Sequence, residues 1–85
     1  MYYLYILYSQ SIDKFYIGYS SDPARRLKEH NHLENTIWTK RGQPWELKTS
    51  IPYEDMRQAI KAERKLKKLK SRRVINQVIA SGRFY

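Results

Sequence analysis

The chain has 85 residues, with 17 Lys and Arg against 8 Asp and Glu and a formal net charge of +9. That length means one small domain, residues 1–85, and 41% hydrophobic residues are enough for a compact core. The absence of Cys excludes disulfides and thiolate metal sites. No apolar run approaches the ~20 residues of a membrane span, and the start Met1-Tyr2-Tyr3-Leu4-Tyr5 lacks the basic region of a signal peptide. The expectation is a soluble, cytoplasmic protein without a membrane role. The charge points to a polyanionic partner, above all nucleic acid.

In chain order, Tyr2 to Ser9 is aromatic and branched and reads as a strand buried on both faces. A polar turn follows, and Phe15 to Ser20 reads as a second strand, so the two make an antiparallel hairpin. Asp22 caps and Pro23 opens a helix reaching about Leu33. His32 to Gly42 reads as an extended loop. Trp45 to Ile51 is a third strand, closed by Pro52. Met56, Ala59, Ile60, Leu66 and Leu69 recur at helical spacing and predict an amphipathic helix over about Glu54 to Leu69. Ser71 caps a last helix carrying Val74, Ile75, Val78 and Ile79, and Gly82 stops it. The fold class is therefore α+β: a small three-stranded antiparallel β-sheet flanked by helices, in the order β-β-α-β-α-α.

Several polar residues sit where a purely structural domain would place apolar ones. Glu63 falls on the apolar stripe of its helix, where a carboxylate is costly unless paired or bound to a metal. The alternative is a rim Glu in a salt bridge. Arg26 and His30, four apart, share one face of the first helix; the plainer reading is a packing edge. Six tyrosines crowd the hairpin, and core filling accounts for most. Gly18 inside a strand calls for close approach of a ligand or another backbone. The cations cluster: nine lie between Arg57 and Arg73, and Glu63 is the one acid from Met56 to Tyr85. That leaves them few partners in their own segment and favours an anion-binding surface over a merely solvated face.

Tyr16-Ile17-Gly18 with Arg26, His30 and Glu63 resembles the GIY-YIG nuclease superfamily. The first half of its signature stands degenerate here, as Tyr3-Leu4-Tyr5. The whole chain is similar to the small stand-alone bacterial members of the family. The resemblance implies a metal-dependent endonuclease-like phosphodiesterase on nucleic acid, DNA before RNA, of a repair or recombination type and selective for structure. It implies Tyr5, Tyr16, Arg26, His30 and Glu63 as catalytic residues, Glu63 holding Mg²⁺ or Mn²⁺. Gly18, Arg25, Lys40, Arg41, Lys67, Lys68, Arg72 and Arg73 are the expected nucleic-acid contacts. In some members a Lys follows the second motif; Tyr19 holds that place here, and Lys40 is a candidate replacement. Two other readings stay open: a non-catalytic basic nucleic-acid-binding module on the same fold, and an accessory domain docking through Trp38, Trp45 or the last helix. Homodimerisation is not decided by the sequence.

Overall fold

A computed structural model of the chain describes residues 1–32 and 41–84. Its elements are β1 (Tyr2–Ser9), β2 (Lys14–Ser20), α1 (Pro23–His30), β3 (Trp45–Tyr53), α2 (Met56–Leu69) and α3 (Arg72–Ser81). The sheet is antiparallel, in the order β2-β1-β3. The α+β architecture expected from the hydrophobic pattern is the one found.

The central strand explains its own composition. Leu4, Tyr5, Ile6 and Leu7 are all fully buried, because helices cover both faces of the sheet. Leu4 and Ile6 join Ile17, Ile51, Ala62, Leu66, Ile75 and Val78 on the side of α2 and α3. Tyr5 and Leu7 join Trp45 on the other side, against Leu27 of α1. Trp45 is thus core, which removes it as a docking residue. A bulge at Ile6/Leu7 shifts the pairing with β3, so Thr49 faces Ile6 and Leu47 faces Leu7.

The helix ends follow their caps. Asp22 accepts a hydrogen bond from the Arg25 amide, and Pro23 takes the first helical position. Ser71 caps α3 through the Val74 amide, and Gly82 ends it at φ 68°, the left-handed region. Other boundaries differ from the pattern-based expectation. Helix α1 ends at His30 rather than Leu33, with Asn31 at its C-cap. Helix α2 begins at Met56, with Asp55 as its N-cap, rather than at about Glu54. Met56 and Leu69 are exposed rather than core; Ala59, Ala62 and Leu66 form the buried stripe. Strand β3 also runs through Pro52 to Tyr53, pairing Pro52 with Tyr3. A proline is tolerated there because β3 is an edge strand, where a missing N–H need break no ladder. Lys40, Trp38 and most of the expected 32–42 loop lie outside the described residues.

Candidate active site

Strand β2 is the other edge of the sheet, and a cleft of about 370 Å³ lies across it. Tyr16 to Ser21 form the floor, Tyr2 and Tyr5 come from β1, Arg26 from α1, and Glu63 and Lys67 from α2. The site therefore straddles the free edge of β2, with one helix contributing from each face of the sheet. This is how residues 58 positions apart in sequence, Tyr5 and Glu63, come to line one cavity.

The glycine has a physical reason. Tyr5 and Gly18 are directly opposed across the hairpin. A Cβ on Gly18 would lie 2.6 Å from the Tyr5 hydroxyl oxygen and 2.7 Å from the ring carbon that bears it. The Tyr5 phenol thus lies over the Gly18 backbone. The room expected at Gly18 for a substrate is taken by a side chain of the protein itself.

That phenol points toward Arg26. The Arg26 guanidinium donates to the Tyr5 hydroxyl and bonds Glu29 at 2.8 Å, while its side chain stays 45% exposed to the cleft. Burial pushes the Tyr5 hydroxyl above its ordinary value, and the hydrogen bond from Arg26 offsets only part of that. Tyr5 is accordingly neutral at pH 7. The hydrogen bond to Tyr5, with Glu29 beside it, holds Arg26 firmly protonated.

Tyr16 stacks near Tyr5, with centroids 6.3 Å apart at 25°. Behind it stands His30, at 4.3 Å from the Tyr16 ring, with Trp45 at 6.3 Å. His30 is buried, and among the described residues neither ring nitrogen has a hydrogen-bond partner. Burial, then the nearby Arg26 charge, pushes it below the usual histidine value. It is a neutral ring packed behind Tyr16 and does not line the cleft. Its place is fixed by the Asn31 side chain, which donates to the Trp45 carbonyl at 3.0 Å and accepts from the Trp45 amide at 2.5 Å. The Gln43 amide donates to the carbonyls of His30 and His32.

Glu63 is half-buried, its side chain 14% exposed, with Lys67 one turn on at 3.3 Å. Both readings of Glu63 thus meet at one place: it has a lysine partner, and it faces the cleft. No group of three or more His, Asp or Glu gathers among the described residues. One carboxylate is a small ligand set, but it suits a hard divalent ion that keeps several waters and takes further oxygens from a phosphate.

The cleft therefore unites Tyr5, Tyr16, Gly18, Arg26, Glu63 and Lys67. Arg25, Arg41, Lys68, Arg72 and Arg73 are not among its lining residues. Arg25 reaches back to Glu29 at 3.2 Å. Arg72 is held by Asp13, through the carboxylate at 3.0 Å and the carbonyl at 2.7 Å, and lies 5.1 Å from the Phe15 ring centroid. Its anion partner is thus in the hairpin turn, outside the basic segment. Tyr2, Ile17, Tyr19, Ser20 and Ser21 complete the lining; nearness to Gly18 in the chain is the signal by which the last four could have been found.

The fold and this tyrosine–arginine–glutamate cleft can be set beside known families. Residues 1–76 match the model of the GIY-YIG catalytic domain, and the chain belongs to that family. Two curated relatives match, the structure-specific endonuclease subunit SLX1 homologs 1 and 2 of Trypanosoma cruzi (strain CL Brener). Each is 44% identical over 50 residues, covering 55% of this chain. The match spans 10% of the first relative and 9% of the second, so the chain corresponds to a small part of their length. No solved structure matches.

Proposed function

We propose that this chain is a divalent-metal-dependent nuclease that cuts DNA in preference to RNA and selects substrates by structure. The observation that carries the proposal is the cleft itself, which gathers an arginine, two tyrosines and a lysine-paired carboxylate around one sheet edge. The relatives are named as structure-specific endonuclease subunits, which supports selection of substrates by structure. A single domain with this little surface also has few groups with which to read bases.

Hydrolysis of a phosphodiester needs charge compensation on the phosphorane and a positioned water. Mg²⁺ or Mn²⁺ held by Glu63 would supply Lewis-acid charge to the phosphate. Arg26 offers planar donors to the non-bridging oxygens and stays charged throughout. Lys67 adds a second positive charge on the α2 side. Tyr5, neutral and hydrogen-bonded to Arg26, holds that guanidinium in place. Tyr16, whose ring lines the cleft, orients the attacking water through its hydroxyl. His30 supports the Tyr16 ring from behind; its burial and its contacts suit packing better than a proton shuttle.

The test is a panel of labelled flap, branched, duplex and single-stranded DNA and RNA with Mg²⁺ or Mn²⁺. Branched DNA should be cut, and Glu63→Gln should slow cleavage by at least ~100-fold with the fold intact. A parent protein that binds the panel and cuts none of it is the non-catalytic module instead.

A further inference from the structure

The cleft uses one flank of α2. The opposite flank borders a second groove, of about 530 Å³, lined by Tyr53, Gln58, Lys61, Ala62 and Lys65. Sheet order explains the pair of grooves. Helix α2 packs over the sheet, and its two sides look toward the two edge strands, β2 and β3. At about 100° per residue, Lys65 stands roughly 160° round the helix from Lys67, and Lys61 roughly the same from Glu63.

The solvent side between these flanks is cationic. Going round the helix from the cleft, the order is Lys67, Arg64, Arg57, Lys68, Lys61, Lys65, and all six are exposed. No acid interrupts them; Glu63, the one acid of the helix, sits at the cleft edge. From Arg57 to Lys68 the helix rises about 16 Å. Phosphates of one DNA strand follow at ~3.4 Å along the axis, so about five face that length.

We infer that α2 is a ridge straddled by the substrate, and that the Tyr53–Lys61–Lys65 groove takes the phosphate backbone of a duplex arm leaving the cleft. The inference rests on the nuclease reading of the cleft and adds a second, non-catalytic subsite to it. A duplex fits better than a single strand. Binding of unpaired strands draws on aromatic platforms for stacked bases, and α2 has no aromatic residue. The one aromatic in the groove, Tyr53, packs against the core and donates its hydroxyl to the Phe84 carbonyl. What the groove offers is two lysines one turn apart and a glutamine, which suit a regular row of phosphates.

Binding is measured without divalent metal, by fluorescence anisotropy of a labelled flap DNA with a 20-bp arm and of a labelled 20-nt single strand. Lys61→Ala/Lys65→Ala is compared with the parent and with Lys28→Ala/Lys48→Ala, which removes the same charge outside α2. The groove variant should bind the flap about tenfold more weakly, with a salt slope shallower by about 2, and bind the single strand as before. The control pair should change neither. Unchanged flap affinity and slope overturn the inference, as does an equal loss with the control pair or an equal loss on the single strand. A parent that binds in this pattern but cuts nothing overturns the nuclease reading and leaves the groove standing.

Discussion

At the scale of single residues, the site depends on one close approach. Gly18 is the place where the Tyr5 phenol lies against the β2 backbone, and a methyl there meets it at 2.6 Å. The nearest atoms belong to a fully buried ring, which has nowhere easy to go. Gly18→Ala should therefore cost about 1–3 kcal/mol of stability, read as a lower melting temperature. It should also slow cleavage, because the displaced phenol no longer holds Arg26. The two tyrosines should behave differently. Tyr5 is kept neutral by burial, so Tyr5→Phe should lower kcat only several-fold, through Arg26. Tyr16→Phe removes the hydroxyl proposed to orient water and should lower kcat by ~100-fold. Equal losses in the two variants would contradict this division of roles. His30 makes a separate prediction. Its folded value lies below the usual ~6.5 because the ring is buried and faces Arg26. The unfolded chain then binds a proton that the folded one refuses. Stability from this residue is complete above about pH 6.5 and is lost as pH falls through that value toward the lower folded one. Melting temperatures from pH 7.5 to 5 should fall for the parent and fall less for His30→Phe, which keeps a ring against Tyr16 and Trp45.

At the scale of elements, what was legible in the sequence is what depends on local spacing. The hairpin, the Asp22 and Ser71 caps and the Gly82 stop are each written within a few residues. Glu63 was legible as well, because an acid on an apolar helix stripe needs a reason, and the cleft supplies one. What depends on the sheet's order was not legible. Pro52 reads as a strand stop unless β3 is known to be an edge. Met56 and Leu69 fit the helical spacing but project beyond the sheet that buries Ala59, Ala62 and Leu66. Arg72 looked like one more cation of a basic run, yet its partner Asp13 lies 59 residues away. That contact ties the start of α3 to the hairpin turn, where Asp13 also accepts from the Tyr8 hydroxyl at 2.6 Å. The pair is exposed, so its contribution is small and screened by salt. Arg72→Ala should lower the melting temperature slightly at low salt and not at all at 1 M. It should weaken DNA binding less than Arg73→Ala does, because the Arg72 guanidinium is already engaged.

At the scale of the whole molecule, charge and size set what the domain can grip. The net charge of +9 is distributed so that α2, which carries the cleft's only acid from the basic half, also carries six exposed cations around its outer side. Those cations are exposed, whereas Glu63 is recessed, its side chain 14% exposed. The fold's longest extent is 33 Å, which at ~3.4 Å per base pair spans about ten base pairs of one duplex arm. A single copy thus cannot follow an arm beyond about one helical turn. Cleavage of flap substrates with arms of 4, 7, 10, 15 and 20 base pairs should show kcat/KM rising with arm length and levelling near ten. The rise should appear in KM, since the extra phosphates lie outside the cleft and bind ground and transition states alike. In Lys61→Ala/Lys65→Ala the curve should flatten, with kcat kept. A rise that continues to 20 base pairs would instead mean that a second copy of the chain shares the arm.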